Sequence, residues 1–267
     1  MRASKASKAS VRTLSSPFEQ GASGLLLLTL AAAAWGQTAA ANGANPLGLV
    51  AFSSMSPGPP APPWRVAGLP KQNKPFTHFE VVSVAGKSVL EVQSEHAYGN
   101  LVFDAPPGLR PVGLHLRWSW RLDRGLERSD LSSKAGDDTA LKVCALFDMA
   151  LDGLGLGERT LLRWARTISA EHLPAATLCY VWDRRLPVGT GLPNAFSARV
   201  RYVVVSSGDA RPGQWIFLER DIVADFMHAF GHESAGLPPL LGVAVGADSD
   251  NTSGSSLGYV GDLSLAP

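Results

Sequence analysis

Within residues 248–252, Asp248, Asp250, Asn251 and Thr252 offer oxygen-bearing side chains close together, with Gly246 and Gly254 beside them. Calcium takes roughly six to eight hard oxygen ligands, and such a loop could supply several. Asp262 would join them if the last two strands form a hairpin. The spacing is not that of an EF-hand, because no Gly stands sixth and no Glu twelfth. The alternative is a hairpin loop whose Asp and Asn side chains bond to local backbone N–H groups. Calcium is thus the one candidate cofactor, at Asp248, Asp250, Asn251 and Asp262. His228 and His232, four residues apart near Asp221 and Asp225, have the spacing of a helical zinc clasp. Gly231 is expected to end the helix between them, and no Glu follows His228 directly, so zinc is not expected.

A second set of residues points to polymer recognition. Arg117, Arg121, Lys142, Arg199 and Arg201 lie on segments that read as strands, as do Tyr180 and Trp182. If those strands pair side by side, the cations and rings could share one sheet face. Such a face suits an anionic glycan, since guanidinium forks carboxylate and a ring stacks on a pyranose. The alternative is a solvated outer face whose charges pair across strands. Catalysis is less supported. Asp137 and Asp138 are adjacent, so on a strand they would point to opposite faces. No phosphate-binding glycine loop or cysteine–histidine signature is present. Cys144 and Cys179 could be bridged in an oxidising compartment, or remain two buried thiols on separate strands.

The elements that must position these residues are mostly short strands. Apolar stretches recur at 77–84, 88–93, 99–103, 112–121, 139–147, 177–182, 198–206, 214–220, 240–247 and 259–265, separated by Gly and Pro breaks. Alternation is cleanest at 112–121, where Leu114, Leu116, Trp118 and Trp120 oppose His115, Arg117, Ser119 and Arg121. Helical spacing is found at 158–170 and at 221–230, the latter with Asp221 as N-cap and Gly231 just past the end. This pattern predicts an all-β, two-sheet, jelly-roll-like β-sandwich with two short accessory helices.

The start of the chain reads as an address. Arg2, Lys5, Lys8 and Arg12 precede an apolar run from Gly24 to Trp35, too short for a membrane span and followed by small residues. A secretory signal over 1–41 is expected, with cleavage after Ala41. Its removal takes away four basic residues and one acidic one, leaving 20 basic against 22 acidic. Residues 42–63, rich in Pro and small side chains, read as a linker or arm, with the sandwich domain at 64–267. Across all 267 residues the formal charge is only +1, which gives no electrostatic footprint for nucleic acid.

Several motifs occur in a recognisable order. Asp137-Asp138 precede the strand with Lys142, followed by Tyr180-Val181-Trp182 and by Ser206-Ser207-Gly208. Trp215, Glu219-Arg220-Asp221, Asp225 and Ala229-Phe230-Gly231 come next, and Asp248-Ser249-Asp250-Asn251-Thr252 and Gly261-Asp262 close the series. In that order they resemble an exported bacterial family known as domain of unknown function 3047. The resemblance implies a periplasmic or secreted, mostly β protein and supplies no activity. The functional expectation is a non-catalytic binding module for a glycan or another cell-envelope polymer. The alternatives are a polysaccharide lyase or hydrolase on the same face, and a structural envelope protein that binds a protein partner.

Overall fold

The computed structural model describes residues 46–69, 71–168 and 173–267. The expected secretory signal and the end of the first expected helix lie outside these residues. In chain order the strands are β1 (Arg65–Ala67), β2 (His78–Val84), β3 (Lys87–Glu95), β4 (Tyr98–Asp104), β5 (His115–Arg124), β6 (Lys142–Phe147) and β7 (Ala176–Asp183). They continue as β8 (Gly191–Pro193), β9 (Val200–Ser207), β10 (Ile216–Asp221), β11 (Leu240–Asp248), β12 (Ser255–Val260) and β13 (Ser264–Ala266). Two α-helices, α1 (Leu156–Ile168) and α2 (Ile222–Phe230), interrupt them.

Two sheets form a jelly-roll-like sandwich. One runs β1-β4-β11-β6-β7-β9-β8 and the other β10-β5-β12-β3-β2, with β13 also on β5. Every pairing is antiparallel except β7 with β9. Alternation builds the core between the sheets. Leu116, Trp118, Trp120 and Leu122 of β5 face Val143, Ala145 and Phe147 of β6 and Val243 and Val245 of β11. The single expected strand at 259–265 is split, because Gly261 and Asp262 separate β12 from β13.

α2 closes the space between the sheets by inserting Phe226 and Phe230, the first 4.6 Å from Phe147. Its N-cap is Asp221, whose carboxylate accepts from the N–H groups of Val223 and Ala224. Gly231 ends the helix in right-handed geometry (φ −59°). Glycine is needed there for close approach, since a Cβ would lie 2.3 Å from the Met227 carbonyl oxygen.

The Pro-rich stretch is not an arm outside the fold. Leu47, Leu49 and Phe52 are buried in the main core, the Trp64 indole N–H donates to the Val50 carbonyl, and Gly58 bridges to Val81. Proline and irregular spacing remove any strand or helix signal, yet single apolar side chains can still insert. Cys144 and Cys179, register partners on β6 and β7, are joined as a disulfide. The bridge lies on the outer face of the seven-stranded sheet, where Ala67, Val102, Leu131, Tyr202, Val204 and Ala244 form a second apolar layer.

Candidate functional site

The expected basic and aromatic groove would need seven side chains on one face, and the fold distributes them among four places. Arg117 and Arg121 lie on the outer face of the six-stranded sheet, opposite in alternation to the buried Trp118 and Trp120. Lys142 lies on the outer face of the other sheet and is 5% exposed. Tyr180 and Trp182 point into the core, their rings 5.3 Å from Trp118 and 6.1 Å from Trp120. Arg199 and Arg201 converge on Glu233 around the Phe230 ring. Alternation assigns faces within a strand but not the sheet a strand joins. β7 is buried along its whole length, so its rings had a core face available as well.

The calcium ligands do not converge either. Asp250 pairs with Lys74, and Asp262 accepts from the Ser53 N–H (2.9 Å) and hydroxyl. The Asn251 side-chain amide donates to the Asp137 carbonyl (3.0 Å) and the Asp138 carboxylate (3.2 Å). Among the described residues no cluster of three or more His, Cys, Asp or Glu could hold a metal. The charges that calcium would neutralise already have protein partners.

Two polar centres result. The first gathers around residues 137–139, just ahead of β6. Asp138 accepts from the N–H groups of Asn251 (3.1 Å) and Thr252 (2.7 Å) and from the Thr252 hydroxyl (2.6 Å), tying down the β11–β12 loop. One Asp248 oxygen accepts from the Thr139 N–H (2.7 Å) and hydroxyl, and the other lies 3.1 Å from Lys142 Nζ. Asp137 accepts from the Tyr202 hydroxyl (3.2 Å) and the Asn194 amide. Burial, and then the nearby Asp248 charge, push the Asp137 carboxyl up to about 6, against the opposing hydrogen bonds and Lys142. Burial is the largest influence on Lys142 and works against its charge, but Asp248, Tyr98 and Asp137 together outweigh it, so the ammonium sits above its ordinary pKa. The second centre joins Tyr180, whose hydroxyl donates to Asp225 (2.8 Å), with Arg220, which holds the same carboxylate by two nitrogens.

The accessible polar surface is the outer face of the six-stranded sheet. Register places Arg121, Tyr259, Glu91 and Glu80 in one row across β5, β12, β3 and β2. The Arg121 guanidinium lies 4.9 Å from the Tyr259 ring centre and is also held by Asp123 at 2.6 Å. Arg117 pairs with Glu219 on the neighbouring β10, and Phe217, two residues earlier, is 83% exposed. Sequence reasoning found the two arginines but missed Tyr259, Phe217, Glu91 and Glu80. The alternation was available in β2 and β3; what was missing was that these strands continue the sheet of β5.

A family model described as "Protein of unknown function (DUF3047)" matches residues 62–264. The chain belongs to this family. Part of the motif series that resembled it falls in the two polar centres of this DUF3047 protein, Asp137, Asp138, Lys142, Asp248 and Asn251 in one and Tyr180, Arg220 and Asp225 in the other. No curated protein matches the chain. Among solved structures it is similar to a cellulase derived from Cel12A of Rhodothermus marinus (14% identity, 76% of this chain, 95% of that one, TM-score 0.35). It is also similar to endoglucanase 3 of Trichoderma harzianum, from family GH12 (9% identity, 78% and 99% covered, TM-score 0.38). A third is the xyloglucanase domain of NopAA from Sinorhizobium fredii (11% identity, 76% and 92% covered, TM-score 0.37). These likenesses are too loose to assign a role to any residue.

Proposed function

We propose that this DUF3047 protein is an exported, non-catalytic binding module for a glycan or related cell-envelope polymer, with the outer face of the six-stranded sheet as its binding surface. The observation that carries the reading is the cross-strand row Arg121–Tyr259–Glu91–Glu80 with the exposed Phe217 ring on the same face. Rings offer flat apolar area to a sugar, and flanking guanidinium and carboxylate groups engage hydroxyls or charged substituents. Export to the periplasm or beyond is supported by the basic and apolar start of the chain and by the Cys144–Cys179 bridge. Among the described residues no helix is long and apolar enough to cross a membrane.

Native affinity gels with neutral and anionic polysaccharides test the reading. Retention is expected for the parent protein and lost on Tyr259→Ala and on Phe217→Ala, both changes at the surface. Equal retention of the variants would place binding elsewhere. Recovery of shortened polymer would instead favour a hydrolase, with Glu80 and Glu91 as the carboxylates to replace, since they are direct register partners on that face. A second reading, docking of a protein partner, is favoured by α1. Its apolar Leu156 and Trp164 are 78% and 60% exposed, while Glu158 and Arg166 face inward to Arg199 and Asp148.

A further inference from the structure

We propose that Lys142 and Asp248 are joined by an intramolecular isopeptide bond, formed by the folded domain itself. The inference concerns the seven-stranded sheet and is independent of the polymer-binding reading. Lys142 is the register partner of Gly246 on the adjacent strand, and its side chain crosses β11 to reach Asp248 two residues further on. Gly246 leaves room for that crossing, because a Cβ there would stand 3.1 Å from Lys142 Cε and 2.4 Å from Asn100 Oδ1.

The arrangement contains the parts an amide-forming step requires. Lys142 Nζ is 3.1 Å from Asp248 Oδ2, the oxygen of the bond that breaks, so the amine and the carboxyl are held together before reaction. Oδ1 of the same carboxylate accepts from the Thr139 N–H and hydroxyl, two donors aimed at the oxygen that carries negative charge in the tetrahedral intermediate. Both partners are nearly water-free, at 5% and 4% exposure, which protects the product from hydrolysis. Nζ forms its bond to Cγ as the Cγ–Oδ2 bond breaks. Two of the three ammonium protons pass across the 3.1 Å contact to Oδ2 and leave with it as water, and the third stays on the amide nitrogen. Ammonium plus carboxylate thus gives amide plus water, with no oxidant or co-reactant. A neutral amide also replaces a buried ion pair, whose desolvation is costly.

Intact-mass spectrometry of the purified full chain, reduced and denatured, tests this directly. The expected mass is one water below that of the reduced sequence, and a protease digest contains a branched peptide joining the segments with Lys142 and Asp248. Full mass in the parent protein overturns the proposal without any variant. Lys142→Met is expected to restore the full mass. If that variant also lacks one water, the deficit belongs to another reaction, such as succinimide formation at Asp152-Gly153, and the proposal fails.

Discussion

The Tyr180–Asp225–Arg220 centre permits a double-mutant cycle whose outcome follows from burial. Tyr180 is fully buried, with its hydroxyl donating to Asp225, while Arg220 and Asp225 retain some contact with solvent. Burial, followed by the Asp225 charge, holds the Tyr180 hydroxyl well above its usual pKa, so it stays protonated and can only serve as a donor to that carboxylate. Tyr180→Phe removes one charge-assisted hydrogen bond but leaves Asp225 with Arg220, for a cost of about 1–2 kcal/mol. Asp225→Ala leaves the hydroxyl proton without its acceptor, about 1–3 kcal/mol, and takes the carboxylate from Arg220, for about 3 kcal/mol in all. In the Tyr180→Phe background there is no hydroxyl to orphan, so Asp225→Ala should cost about 1–2 kcal/mol less than in the parent. Urea unfolding followed by tryptophan fluorescence is a suitable assay, because the Tyr180 ring lies 5.3 Å from Trp118. The midpoints should shift with the slope unchanged. Additivity within about 0.5 kcal/mol would refute the claim that the carboxylate is there to satisfy the buried hydroxyl.

Other outcomes follow from single contacts. While Lys142 and Asp248 are an uncoupled ion pair, the Asp137 carboxyl, followed by side-chain carbon NMR, should titrate near the value of about 6 that burial and the Asp248 charge impose. Because the folded value is raised, its contribution to stability is full below the unfolded pKa of about 4 and is lost as pH rises through about 6; a midpoint below about 4.5 would contradict this. Replacing both cysteines by serine, or reducing the bridge, should lower stability by about 3–4 kcal/mol, as expected for a cross-link between residues 35 apart, and thermal unfolding with and without reductant checks it. Gly246→Ala should cost about 1–3 kcal/mol by overpacking, since its Cβ would meet Asn100 Oδ1 at 2.4 Å and the Gly99 carbonyl oxygen at 2.8 Å; urea unfolding measures the loss.

What could be read from the sequence was local. The period-2 pattern of β5 located the core tryptophans and the outward arginines, and Asp221 announced the start of α2. Which strands share a sheet could not be read, because it depends on long-range pairing. β6 follows β5 in the chain but lies in the opposite sheet, which separates Lys142 from Arg117. The acidic run at 248–252 looked like a ligand set because its partners, Lys142, Thr139 and Lys74, come from segments more than a hundred residues away. The buried fate of Leu47 and Phe52 was hidden by prolines that suppress periodicity without preventing burial.

The residues whose order resembles the family and the residues proposed to meet a ligand are different sets. Asp137, Asp138, Lys142, Asp248 and Asn251 fasten the segment before β6 and the β11–β12 loop to the seven-stranded sheet. Tyr180, Arg220 and Asp225 tie β7, β10 and α2 together. Each tie places charge where water is scarce, so losing one partner strands another, and such positions tolerate little change. Phe217, Tyr259 and Glu91 carry no comparable burden: exposed or half-exposed on a regular sheet face, they can be exchanged at small cost to folding. The side chains that form the ties therefore secure the scaffold, and the outer face of the six-stranded sheet can vary without disturbing it. The same division makes the two proposals separable: a chain lacking the Lys142–Asp248 amide can still retain polymer, and a Tyr259→Ala chain can still form the amide.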